Sequence, residues 1–359
     1  MKILDRYIAR EFLRFLGLVL ATFITLYLLI DFFEKIRMFM SNAATVRQVV
    51  SHFLYTIPMI VTQTLPAAVL LGSLITFGTL SRHGEITAMK AGGISLYRIA
   101  APVAVMAAAL CGVLFLFSEY VTPKTYERAE YIRLVEVQKK TSYGSFKQNA
   151  IWYRAKDAIY NFKFFDVQKN MLQGITIHYL KEMGEIAMRI DAERAEWKNG
   201  QWVFHNLLVT RFPQGDFPQL QRIREQVIAL PEKPSDFQVV QKNTEEMGFF
   251  ELRDYVRKLS SEGYDATRYI VDMHGKIAFS LVSLILAVIG AAFSVRSERS
   301  GGMVQSIGAG IVLGFSYWII FAFGLSLGRS GTIPPFLAAW SANLLFGAGA
   351  IVLFRRLRT

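Results

Sequence analysis

The sequence predicts an α-helical polytopic membrane protein, with six transmembrane helices interrupted by an inserted all-β domain of jelly-roll-like type outside the membrane. Three observations predict it. The 359 residues are 53% apolar, far above what a single soluble core needs. The apolar residues gather into three long runs before a polar stretch and three after it, several uncharged over about 18 residues, the length that a bilayer span requires. Residues 119–272 between them are the only long part that water could dissolve. The expected organisation is therefore residues 1–118 with spans one to three, 119–272 as a β domain with a linking helix, and 273–359 with spans four to six.

Charge is informative once it is located. Of the formal +12, the nearly balanced insert holds only +1, so +11 lies on the membrane flanks. A nucleic-acid binder would concentrate basic residues on a polar domain. Here they fall where helices meet lipid headgroups, and no nucleic-acid partner is expected. Cys111 is the only cysteine and lies in an apolar run, so no internal disulfide can form.

Lys2, Arg6, Arg10 and Arg14 precede the uncharged run Phe15 to Ile30, a signal-peptide-like beginning. No small-residue cleavage site follows, and Asp31 to Glu34 continue the helical pattern, so this reads as a retained first helix. Asp31 and Lys35 at its far end are four apart and can pair. His52 to Leu80 is longer than a span needs and contains Pro58 and Pro66, which predicts a tilted or kinked second helix. Ile99 to Ser118 is span three. The stretch between these two, Ser81 to Arg98, is too polar to cross and too short to be a domain, which makes it an interfacial connector. Ile277 to Val295 is span four, Ser300 to Gly328 includes span five, and Ser330 to Phe354 includes span six, where Pro334 and Pro335 suit a helix start. Gly308, Gly310 and Gly314 invite a dinucleotide-site reading, but no strand precedes them. They read as close helix packing through the small pair Gly310 and Gly314.

About twelve Lys and Arg collect on one side if the N-terminus, the connector, Arg296, Arg299 and the C-terminal arginines share it. Only Lys35, Arg37, Arg47 and Arg329 occupy the opposite short loops. The first side is therefore expected to be cytoplasmic, with both termini, and the insert outside. Within the insert, Ala158 to Phe165, Gly174 to Tyr179 and Gln201 to Phe212 alternate like strands, and Lys198-Asn199-Gly200 is a hairpin signal. Several strands in succession without a helical pattern argue a sandwich or jelly roll. Phe249 to Ser260 reads as a helix with Phe250, Tyr255, Val256 and Leu259 near one face.

Nucleotide and metal motifs do not occur, and His52, His83, His178, His205 and His274 are scattered. Ionisable residues are also missing from the middle of every span, where a proton-coupled transporter would keep one. Energy for any movement would then come from another chain. The connector offers a route: Arg82 to Gly93 makes a short amphipathic helix ended by glycines, in which Glu85 and Met89 are four apart and share a face. An acid beside an apolar side chain suits docking into a partner's groove.

Leu4-Asp5-Arg6-Tyr7-Ile8, the stretch from Gly84 to Gly93, and Gly331-Thr332-Ile333-Pro334-Pro335 followed by Ala338-Ala339-Trp340 together resemble the LptF/LptG family of lipopolysaccharide export permeases, the LptG branch more than the LptF branch. The resemblance covers essentially the whole chain. It implies an ABC transporter permease of the bacterial inner membrane, a transport subunit and not an enzyme. It further implies a second, LptF-type permease, a cytoplasmic LptB-like ATPase dimer, and LptC-like and LptA-like periplasmic bridge proteins. No cofactor is implied for this chain itself; ATP is used by the partner subunit. By the same resemblance Arg82, Glu85, Met89 and Gly92 belong to the ATPase-coupling helix, and spans one and five face the other permease. LptG members can carry a lysine near the outer end of helix one where Asp31 stands here, which moves the candidate phosphate ligands to Lys35 and Arg37, joined by Lys276 and Arg329 at the outer ends of spans four and five.

Two other classes are weighed against export. A mechanotransmission permease, whose outside domain regulates a periplasmic partner while nothing crosses, commonly has fewer spans. A lipid-modifying enzyme would gather acids or histidines at a membrane boundary, and the sequence holds no such cluster.

Overall fold

The computed structural model describes residues 3–139, 145–147, 150–154, 158–166, 170–180, 186–198, 200–213, 217–228, 230, 234, 244, 247–261, 265–297 and 302–356. Lys2, Asn199, Arg299 and Arg358, used above for topology and for the hairpin, lie outside them. The chain forms two compact units, one of residues 1–132 with 244–359 and one of residues 133–243.

The first unit is helical. Its elements are α1 (Ile3–Ser41), α2 (Val46–Arg82), α3 (Glu85–Ala91), α4 (Leu96–Leu116), α5 (Thr122–Tyr131), α6 (Phe249–Ser261), α7 (Thr267–Ser297), α8 (Gly302–Arg329) and α9 (Pro335–Arg356). Among the described residues six helical stretches are long and apolar enough to cross a membrane: α1, α2, α4 with its continuation through α5, α7, α8 and α9. The second helix runs unbroken through Pro58 and Pro66. In span three, a π-turn at Phe117–Val121 joins α4 to α5 just ahead of Pro123. Proline has no N–H to donate and its ring crowds the preceding carbonyls, and widening the helix upstream accommodates both effects.

Burial separates the spans. In α2 and α7, 61% of the apolar window is buried, against 11% in α1 and 22% in α8, so α2 and α7 form the centre. Small and hydroxylated side chains let them approach. A Cβ on Gly290 of α7 would collide with the Ser73 hydroxyl and the Leu70 carbonyl of α2, and the Ser294 hydroxyl donates to the Leu74 carbonyl at 3.1 Å. The predicted close packing of span five is present, with Gly310 and Gly314 facing Leu74 and Leu70. On the other side of α7, the Tyr317 hydroxyl donates to Asn343 Oδ1 and Asn343 Nδ2 donates to the Ala278 carbonyl, both at 2.7 Å, joining α8, α9 and α7.

The helical unit reaches further into the polar stretch than 118 and 273 would have it. Residues after Ser118 stay helical, and the Glu119 carboxylate accepts the backbone N–H groups of Phe249 and Phe250, capping α6 from another part of the chain. Gly248 is required beside it, since a Cβ there would lie 2.5 Å from the carboxylate. The expected inner face of α6 is adjusted by one residue. Leu252, Tyr255, Val256 and Leu259 are buried, while Phe250 is exposed with the Arg253 guanidinium over its ring.

The second unit is the expected all-β domain. Its strands β1 (Ser145–Lys147), β2 (Ala150–Arg154), β3 (Ala158–Asp166), β4 (Met171–Leu180), β5 (Ile186–Lys198), β6 (Gln201–Arg211) and β7 (Gln219–Ile228) form one antiparallel sheet in chain order. The predicted hairpin joins β5 to β6, with Lys198 opposite Gln201 and Gly200 at φ +80°. The strand order is that of a meander and not the Greek-key order of a jelly roll, and the sheet carries a crease. From β3 to β7, pairing skips the residues Lys163, Gly174, Glu193, Asn206 and Arg224, which lie in a row across the sheet. On one side of the row the inward positions are Phe162, Ile175, Ala192 and Leu207; on the other they are Phe165, Leu172, Ala195 and Phe204. The inward parity of each strand thus shifts by one residue, so both halves of the sheet turn the same face to one apolar core. Gly174 at φ +59° and Asn206 at φ +54° supply the turn in alternate strands.

This geometry makes Asn206 selective for residues that tolerate a left-handed backbone. Asn206→Val should lower the stability of the β domain by about 1–2 kcal/mol, whereas Asn206→Gly should be nearly neutral. Thermal unfolding of the whole purified chain in detergent, followed by tryptophan fluorescence, checks both.

Candidate functional sites at the two ends of the helical bundle

At one end of the bundle the connector folds as α3, seven residues bounded by Gly84 at φ +72° and Gly93 at φ +79°, both in the left-handed region. Its apolar side is set by Ile86, 1% exposed, which shares a core with Ile8, Phe12, Leu80, Leu96 and Ile99. Met89 packs against that same core. Of the four residues expected to couple to an ATPase, Arg82 and Gly92 are exposed, while Glu85 and Met89 are both half-buried, Met89 packing against the core. The spacing of Glu85 and Met89 does give them a common side, but it is the side nearer the protein. The outer surface is made instead by Thr87, Ala88, Lys90 and Ala91. Two polar contacts fasten the connector to the start of α1: the Tyr7 hydroxyl donates to Glu85 Oε1 at 3.1 Å, and Arg98 pairs with Asp5 at 2.8 Å.

Toward the other end, a cavity of about 350 Å³ opens among α2, α4, α5, α7 and α8. Phe279, Trp318, Phe321 and Leu325 give it apolar walls, and Thr62, Gln63, Ser118 and Thr122 add polar groups. Two of the predicted ligands, Lys276 and Arg329, line it together. The sequence reading missed their companion Asp272, which it placed at the end of the insert. Asp272 is buried inside α7 and accepts from Arg329 Nε at 2.7 Å and Nη2 at 2.6 Å, while its Oδ2 has no hydrogen-bond partner among the described residues. Among the described residues the lining thus combines two cations and one carboxylate with apolar walls, a chemistry suited to an anionic head with apolar tails.

Lys35 and Arg37 are not among the residues lining this cavity. Lys35 pairs with the buried Asp31 at 2.9 Å, as the four-residue spacing predicted, and Arg37 is exposed on the last turns of α1. Nearby, His52 is buried against the Phe39 and Phe53 rings with its Nδ1 3.0 Å from the Ala129 carbonyl, a structural placement.

The Asp272–Arg329 pair predicts an asymmetric mutational response. Arg329→Ala leaves a buried carboxylate without its cation and should destabilise the helical unit by about 1–3 kcal/mol, below the usual loss for a fully buried pair because Arg329 is 42% exposed. Adding Asp272→Asn to that variant should recover most of the loss, read as the melting temperature in detergent.

The profile of the family described as lipopolysaccharide export system permease LptF/LptG matches residues 6–356. The chain is 24% identical over 354 residues to the lipopolysaccharide export system permease protein LptG of Escherichia coli, covering 94% of this chain and 93% of that relative. It is 26% identical over 357 residues to the protein of the same name from Haemophilus influenzae, covering 96% and 95%. With six apolar helices, an inserted antiparallel sheet and a family match over nearly its whole length, the chain belongs to the LptF/LptG family of lipopolysaccharide export permeases.

Proposed function

We propose that this chain is an LptG-type permease subunit that draws lipopolysaccharide from the bacterial inner membrane and passes it toward a periplasmic bridge. The observation that carries the reading is the cavity that combines aromatic walls with Lys276 and Arg329, because the substrate class has acyl chains and phosphates on one molecule. In this reading α3 lies in the cytoplasm and docks on an LptB-like ATPase dimer, with Glu85 as its acidic contact; this chain binds no nucleotide. Both termini are cytoplasmic and the β domain is periplasmic, where it meets LptC-like and LptA-like bridge proteins. The shallow burial of α1 and α8 supports a lateral interface there with an LptF-type permease. Lys35 and Arg37 extend the basic lining at the outer end of α1, although Asp31 offsets part of the Lys35 charge.

Two measurements on the purified multi-subunit complex test this. Lys276→Ala should reduce the lipopolysaccharide recovered with the complex by about tenfold or more, the loss expected for a partly desolvated contact to a charged group. Unchanged recovery would remove Lys276 from the site, and a complex that never holds lipid would favour the regulatory, non-transporting alternative. Glu85→Lys should leave the chain folded in the membrane while abolishing co-purification of the ATPase or its coupling to transport. Normal export by that variant at normal expression would overturn the docking assignment.

A further inference from the structure

Glu85 is the first residue of a seven-residue helix that follows a left-handed glycine, a place where a carboxylate has little local restraint. Its Oε1 nevertheless accepts a hydrogen bond from Tyr7, seventy-eight residues earlier, while no contact to Oε2 is present among the described residues. Two residues before Tyr7, Asp5 is 8% exposed and pairs with Arg98, which ends the connector in the first turn of α4. Ile8, fully buried, follows Tyr7 and shares its core with Ile86 of α3. One turn of α1 therefore holds the connector at both ends and against its apolar side. The α1 helix has the smallest buried share of the six spans, and its buried residues Ile8, Phe12 and Leu16 belong to the same core as Ile86 of α3.

We propose that Tyr7 is a positioning residue for Glu85. Its hydroxyl fixes one carboxylate oxygen so that the other faces a cationic group of the cytoplasmic partner, and the same bond fastens α3 to α1, so that a push on the connector is delivered to the exposed first span. Asp5 and Arg98 hold the far end of the connector and keep it from pivoting about Gly93. The inference rests on the reading of Glu85 as the docking acid, and adds to it the path by which force leaves the docking site. Hydrogen bonding to an ionised acceptor is the physical basis, since such bonds are stronger and more directional than neutral ones.

The test uses the whole complex in proteoliposomes, with Tyr7→Phe, Glu85→Gln and the double variant. Lipopolysaccharide moved per ATP hydrolysed is measured beside the melting temperature of each complex. Tyr7→Phe keeps the ring and its packing, so the melting temperature should hold while lipid moved per ATP falls about three- to tenfold, the loss of a partly exposed hydrogen bond to a charged acceptor. The double variant should be no worse than Glu85→Gln alone, because Tyr7 acts through that carboxylate. An impaired Glu85→Gln with an unaffected Tyr7→Phe, or losses that simply multiply in the double variant, would overturn the positioning role and leave the docking reading intact. An unaffected Glu85→Gln would sink the docking reading, and the inference with it.

Discussion

Between α2 and α7 the two backbones come close enough that Gly290 lies against Ser73 and the Leu70 carbonyl, and the rest of the helical unit depends on that approach. In a bilayer the hydrophobic effect does not drive one helix onto another, so association rests on close van der Waals packing and on polar groups that find partners. The central pair supplies both, with small residues at the crossing and the Ser294 hydroxyl bonded to a carbonyl of α2. The neighbours are then recruited by the same device. Gly310 and Gly314 seat α8 on α2, Gly324 and Gly328 seat it on Ala338 of α9, and Asn343 ties α9 to both α7 and α8. A Cβ at Gly290 or Gly324 would meet a backbone carbonyl of the neighbouring helix and force the two apart, whereas at Gly310 it would meet the end of the Leu74 side chain.

The two candidate sites inherit their geometry from that packing. The cavity is bounded by α2, α7 and α8, so Asp272 and Lys276 stand on one of the most buried helices and Arg329 on one of the least buried. The connector is different. It is a single short helix whose hold on the bundle is Ile86, Met89 and the polar contacts at the start of α1.

How far the sequence revealed this depends on what each signal encodes. Hydropathy is a one-dimensional property, so the six spans, their order and the polar insert were legible, as were the strands with unbroken alternation and the hairpin at Gly200. Three features were not. The crease in the sheet places inward residues three apart, as at Phe204 and Leu207, which in a sequence reads only as faulty alternation; recognising it requires the same fault in five adjoining strands. The helical unit extends past residue 118 because Glu119 caps a helix that begins at Phe249, a partnership between distant residues that composition does not carry. The inward turn of Met89 was hidden for a related reason. Spacing of four fixes that two side chains share a side, while the direction of that side is set by Ile8, Phe12 and Leu96 from other helices.

The charged residues at the helix ends follow one pattern whose consequence reaches function. Asp5 with Arg98, Asp31 with Lys35 and Asp272 with Arg329 each set a largely buried carboxylate against a more exposed cation. The acid is sheltered by the bundle and orients the cation, which keeps part of its surface toward solvent or lipid headgroup. A cation so compensated attracts an anion less strongly than a free one, and a phosphate approaching Arg329 must share it with Asp272. For a protein that only stores its ligand this would be a loss. A permease that must release a polyanionic lipid after lifting it benefits, because each contact is weak enough to be exchanged as the helices move. In the proposed site Lys276 would add to the attraction of an anionic head, and the Asp272–Arg329 pair would limit how tightly that head is held.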